Sequence, residues 1–126
     1  PPRSTLFPYT TLFRSPRKEQ KQIFLNEDIA ICGIVKAELI HGARSEKEIS
    51  SILAAIDCFT NLPISEKDWT GIGELLNSLR LNGVNIPFQD AILSYLAIKN
   101  DIAIWTNDKH FSLIQKKVSR LKIFTI

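Results

Sequence analysis

The chain has 126 residues, 44% hydrophobic and 23% charged, enough for one domain with a sizeable core but not for two. Its formal charge is +3, and without Arg3 and Arg14 the remainder carries 14 basic against 13 acidic residues. That balance excludes a broad electrostatic claim on nucleic acid, and no run approaches the roughly 20 apolar residues of a membrane span.

Residues 1–16, PPRSTLFPYTTLFRSP, differ from everything after them. They are rich in proline, repeat T-L-F and show no helical or strand period. The stretch reads as a foreign or disordered leader, with a binding arm using Phe7, Tyr9 and Phe13 as the alternative. Fold reasoning therefore starts at Arg17 and treats 17–126 as the domain. Residues 17–25 fit the tail of a helix ending near Asn26, and no apolar signal-peptide core precedes it. The expected location is cytoplasmic.

Ile29–Cys32 is a short β-branched run bounded by Asn26–Asp28 and Gly33, as a buried strand would be. Ile34–His41 then reads as a helix stopped by Gly42. Ser45, with Glu48 three residues on, predicts a capping box. It opens a helix with Ile49, Ile52, Leu53 and Ile56 on one stripe. Leu62–Ile64 is a brief strand candidate. Ser65 caps a long helix to about Leu81, with Trp69, Ile72, Leu75, Leu76 and Leu79 on one face and Asn82–Gly83 as its stop.

Pro87 introduces a helix over Phe88–Lys99 that is apolar on most sides and so central. A strand follows at Ile102–Trp105, then a helix from Asp108 to about Val118 and a last strand at Leu121–Ile126. Alternating strands and helices predict an α/β fold with a mainly parallel sheet covered on both faces. Cys32 and Cys58 stand apart in apolar surroundings without metal-ligand spacing, and read as reduced core residues. Lys116, Lys117, Arg120 and Lys122 read first as a solvated helix face and second as a local RNA patch.

Three carboxylates stand at the edges of these apolar elements. Glu38 lies mid-helix between Ala37 and Leu39, where an unpaired buried charge would cost several kcal/mol, so it is solvated, paired or metal-bound. An exposed glutamate pairing with Lys36 or Arg44 satisfies the same pattern. Asp90 and Asp108 each begin a helix, where the dipole alone favours an anion. Thr106 fits a turn residue, and His41 and His110 have no ligand-like partner one helical turn on. Taken together, hard oxygen donors at strand ends suit Mg²⁺ or Mn²⁺ and phosphodiester hydrolysis. No GxGxxG, P-loop, HExxH or GxSxG motif points to other chemistry.

Three blocks in order carry a resemblance. Ile34-Val-Lys-Ala-Glu38-Leu-Ile-His-Gly42, Leu79-Arg-Leu-Asn-Gly83 with Ile86-Pro-Phe-Gln-Asp90-Ala91, and Trp105-Thr106-Asn-Asp108-Lys-His-Phe111 resemble the PIN-domain ribonucleases. The chain is most similar to the VapC-type toxins of bacterial type II toxin–antitoxin pairs. The resemblance implies a three-layer α/β/α fold and a metal-dependent endoribonuclease using Mg²⁺ or Mn²⁺. It also implies an RNA substrate, a homodimer and a cognate antitoxin. By position it makes Glu38, Asp90 and Asp108 metal ligands and Thr106 a supporting hydroxyl.

One departure stands out. Such proteins carry an N-terminal strand ending in a further metal-binding aspartate, and residues 1–16 contain no Asp. The expectation is therefore a truncated toxin, its first strand missing and its activity impaired. A non-catalytic PIN-like module that binds antitoxin or RNA is the alternative, and a structural α/β domain with acids as helix caps is a third.

Overall fold

The computed structural model describes residues 4–6, 28–106 and 108–124. In chain order these form β1 (Ser4–Leu6), β2 (Asp28–Cys32), α1 (Gly33–His41), α2 (Glu46–Ile56) and β3 (Thr60–Leu62). They continue with α3 (Glu66–Leu81), α4 (Phe88–Lys99), β4 (Ala103–Trp105), α5 (Lys109–Lys117) and β5 (Lys122–Phe124). The five strands make one sheet in the order β3-β2-β1-β4-β5, with every pairing parallel. Parallel strands need helical crossovers, and the result is the expected three-layer α/β/α arrangement.

The sheet does not lack a central strand, which corrects the sequence reading. Ser4–Leu6 fills that place, Thr5 standing opposite Ile29 of β2 and Ala103 of β4. A strand ladder is built from backbone N–H and C=O groups, which a short segment of almost any sequence supplies. Without β1, β2 and β4 would each present an unpaired edge in mid-sheet. Residues 4–6 thus belong to the sheet, while the rest of the leader and the helix tail read at 17–25 lie outside the described residues.

Boundaries elsewhere follow local chemistry. The third strand is Thr60–Leu62, earlier than Leu62–Ile64, because Pro63 cannot donate to a ladder. At α2 the Ser45 hydroxyl accepts from the Glu48 amide as expected, but the Glu48 carboxylate accepts from the Arg44 amide instead of closing the box. The full capping box opens α3, where Ser65 and Asp68 each accept from the other's backbone N–H. Gly83, at φ 79°, ends α3 with Val84 N–H bonded to Leu79 C=O and Gly83 N–H to Arg80 C=O, a Schellman closure.

Core residues come from every layer: Ile31 and Ile104 from the sheet, Leu39, Ile72, Leu79, Ile92, Leu96 and Ile114 from the helices. Helix α4 buries Ala91, Ile92, Leu93, Ser94, Leu96 and Ala97, and is the central helix its composition predicts. Two sequence readings are corrected here. Trp69 faces solvent, leaving Ile72 and Leu79 as the buried stripe of α3 with Leu75 and Leu76 half-buried. Cys58 is exposed just beyond α2 while Cys32 is buried, and both are free thiols. Lys116, Lys117, Arg120 and Lys122 are solvent-exposed, and Lys122 pairs with exposed Asp101 at 2.7 Å.

A polar staple joins α3 to α4. The buried Asp68 carboxylate accepts from Lys99 Nζ at 2.7 Å and Tyr95 Oη at 3.1 Å, besides its bond to the Ser65 amide. Lys99, then the Ser65 amide, hold its carboxyl far below the usual carboxylate range. A depressed folded-state pKa adds stability that is present above the unfolded value of about 3.9 and is lost as pH falls below it. Lys99, raised chiefly by Asp68, adds stability lost only at alkaline pH. Urea unfolding midpoints should therefore drop between about pH 5 and pH 2, and the drop should shrink in Asp68→Asn. Equal losses in both proteins would remove the staple as the source.

Gly71 packs beneath that staple. A Cβ there would lie 2.7 Å from the Tyr95 hydroxyl, which is anchored on Asp68. Alanine is favoured over glycine inside helices by roughly 1 kcal/mol, yet here it displaces the ring. Gly71→Ala should therefore destabilise by about 1–3 kcal/mol in chemical denaturation. A stabilised variant would show that the ring yields freely.

Candidate metal centre

The strand order sets the place. Numbering runs outward from β1 in both directions, through β2 to β3 and through β4 to β5, so β1 marks where the sheet reverses. Ligands of open α/β sheets bind in the crevice outside the carboxyl ends of strands at such a point. Because the pairs are parallel, α1 leaves β2 and Thr106 leaves β4 at the same sheet edge. Those two strands are separated by β1 alone, about 10 Å at ordinary strand spacing.

Three side chains meet there. Ligand atoms of Asp90, Asp108 and His110 all lie within 4.8 Å of one another, close enough together to surround one metal ion. His110 Nδ1 stands 3.1 Å from Asp90 Oδ2 and 3.4 Å from Asp108 Oδ1, between the two carboxylates. Carboxylates only accept when ionised, so Nδ1 is the donor. Asp90 occupies the first turn of α4 and is half-buried; Asp108 caps α5, its Oδ1 accepting from the His110 amide at 2.9 Å.

Electrostatics at Asp90 favour a cation. Burial pushes its carboxyl up and the nearby Asp108 charge adds to the push, while the His110 hydrogen bond opposes it. A carboxyl pushed up by burial and by a neighbouring carboxylate gains from a positive charge placed beside it. Their hard oxygens suit Mg²⁺ or Mn²⁺, so the donor set fits that group.

Thr106 is almost wholly buried at the end of β4, and its Oγ1 accepts from the Asp108 amide at 2.9 Å. That bond fixes the turn that delivers Asp108. Thr106→Val keeps the shape and removes the acceptor. It should weaken Mn²⁺ affinity about tenfold with little change in melting temperature, read by titration calorimetry. Unchanged affinity would leave Thr106 a packing residue.

Glu38 is half-buried on α1 and is not among the three side chains that meet. Its charge is felt by Cys32, whose thiol is pushed up mainly by burial and in part by Glu38. The structure thus brings Asp90 and Asp108 together and leaves Glu38 outside their group. His110 is the residue that the sequence sets aside for want of a ligand-like partner one helical turn on. Its partner Asp90 lies 20 residues away, so no local spacing pairs them. His41 is exposed in the last turn of α1.

Comparison with known proteins decides the family. The PIN domain model matches residues 6–117. The chain belongs to the PIN domain family. No curated relative matches it in sequence. Its fold is similar to that in VapBC-1 from nontypeable Haemophilus influenzae, at TM-score 0.75 and 20% identity over 97% of this chain and 96% of that one. VapBC2 from Rickettsia felis, bound to a DNA fragment from their promoter, gives TM-score 0.72 and 21% identity over 97% and 98%. VapBC-5 from Mycobacterium tuberculosis, of the VapBC family of toxin–antitoxin systems, gives 0.70 and 18% over 99% and 100%. Among the described residues of this PIN domain, no helix is long and apolar enough to cross a membrane.

Proposed function

We propose that this PIN domain is a metal-dependent endoribonuclease, the VapC-type toxin of a toxin–antitoxin pair. The observation that carries the proposal is the meeting of Asp90 and Asp108 at the switch point of a parallel sheet. Likeness in fold to solved VapBC structures supports an antitoxin as partner, while a second copy of the chain completing a homodimer rests on the motif resemblance alone.

Asp90 and Asp108 would hold Mg²⁺ or Mn²⁺, with Glu38 as the third carboxylate on the strength of its motif. The ion, when bound, activates water and stabilises charge on the scissile phosphate. Asp108 is held in place by Thr106 and by its own cap on α5, its Oδ1 accepting from the His110 amide. His110, bonded to Asp90, keeps that carboxylate oriented toward the shared position.

Residues 1–16 contain no aspartate, so the acid that resembling proteins carry at the end of their first strand is not supplied there. The activity of this chain is accordingly read as reduced. Incubating the full chain with structured RNA in Mg²⁺, Mn²⁺ or EDTA tests the proposal. Cleavage that needs the metal supports it. RNA left intact, together with antitoxin capture and no metal binding, would instead favour a non-catalytic binding module.

A further inference from the structure

A concave feature separate from the Asp90–Asp108–His110 group lies on the segment that leads to Asp90. A cavity of about 290 Å³ is lined by Leu76, Asn77 and Arg80 of α3 and by Val84, Asn85 and Ile86 of the following loop. Its lining is of two kinds. Leu76, Val84 and Ile86 are half-buried and make an apolar floor, while Asn77, Arg80 and Asn85 are exposed at its rim. The volume is near the lower end of small-ligand sites, and an apolar floor with a few converging polar groups is how such sites are made.

The rim has defined chemistry. Each Asn amide offers one donor face and one acceptor, the pair that matches the N6/N7 edge of adenine. Arg80 makes no ion pair with any described residue, so its guanidinium can stack on a base or pair with a phosphate. Asn77 and Arg80 are three residues apart on α3 and so share one face of that helix.

Position ties the cavity to the metal centre. Ile86 precedes Asp90 by four residues, a span of at most about 14 Å. Pro87 links the two, its carbonyl accepting from the Asp90 amide at 3.0 Å. A stacked strand advances roughly 3.4 Å per nucleotide, so a base in the cavity lies only a few nucleotides from a phosphate at Asp90.

We infer that this cavity is a subsite for one unpaired base of the RNA substrate, adenine by preference. Asn77 and Asn85 read its edge, and Arg80 stacks on it or pairs with its phosphate. The inference rests on the nuclease reading above and adds to it a determinant of where the RNA is cut. Unpaired bases are the part of RNA that side chains can read in this way.

The test uses the full chain in EDTA, where metal-dependent cleavage is off, and fluorescein-labelled eight-nucleotide RNAs of A, C or U. Fluorescence anisotropy should show tightest binding to the A oligomer. Arg80→Ala should weaken all three about tenfold and lower the salt slope by about one. The double substitution Asn77→Ala, Asn85→Ala should level the preference for A. Val84→Trp fills the cavity without changing charge and should do the same, with folding of each variant checked by circular dichroism. Unchanged affinity and base preference in all variants would overturn the subsite, and if Mg²⁺-dependent cleavage persists the nuclease reading survives. Selective binding through these residues without any cleavage in Mg²⁺ or Mn²⁺ would keep the cavity and sink the nuclease. A wild-type chain that binds none of the RNAs overturns the subsite too.

Discussion

Asp90→Asn and Asp108→Asn should each lower metal-dependent RNA cleavage by more than about a hundredfold. Loss of groups that merely support a metal's ligands costs about 10–100-fold, and these two carboxylates are the proposed ligands themselves. The amide keeps the size and most hydrogen bonds of the acid, so the fold should survive. Asp90→Asn should even stabilise the metal-free protein, because it removes a half-buried charge that burial and Asp108 both disfavour. The pairing of lost cleavage with a raised melting temperature separates a metal ligand from a structural aspartate. A variant that cleaves at the wild-type rate shows the assignment to be wrong. A destabilised Asp90→Asn would mean that the His110 bond outweighs the cost of the buried charge.

Trp105→Ala should be the most damaging of the core changes, at about 3–5 kcal/mol. Trp105 is 1% exposed and among the largest fully buried side chains, at the last position of β4 opposite Phe124 of β5. Folded domains keep only about 5–15 kcal/mol in total, so the loss brings the chain near unfolding at ordinary temperature. Thr106 follows directly and holds Asp108, so the response to metal should weaken in the same variant. Trp69→Ala is the internal comparison, since Trp69 is 42% exposed and its loss should cost under about 1 kcal/mol. Equal midpoints for the two variants in urea, followed by circular dichroism, would contradict this account of the core.

Much of the architecture is legible in the residues themselves. The stripe of Ile52 and Ile56 on α2, Ser65 and Gly83 at the ends of α3, and the all-round apolar α4 each predict what forms. Short strands are harder, because a three-residue ladder has little pattern. Ser4–Leu6 joins the sheet through its backbone, which the side-chain sequence does not advertise. Trp69 fell on the wrong side of α3 because a tryptophan at helical spacing looks like core, whereas Asp68 is the residue that turns inward to Tyr95 and Lys99.

The site divides in the same way. Asp90 and Asp108 are recognisable because each opens a helix beside an apolar element, and the structure brings them together. His110 is set aside in the sequence because its partner is distant along the chain and close only in the fold. Glu38 rests on its motif alone.

Paramagnetic broadening by Mn²⁺ tests the central claim most directly, because it reports the metal's position without requiring catalysis. In an amide NMR spectrum of the full chain, substoichiometric Mn²⁺ should erase the resonances of Asp90, Asp108 and His110 first. Glu38 should follow, and exposed acids such as Asp57 and Glu66 should persist. Broadening that starts at those surface acids, or spreads evenly over all of them, would contradict a metal centre at the carboxyl edge of this sheet.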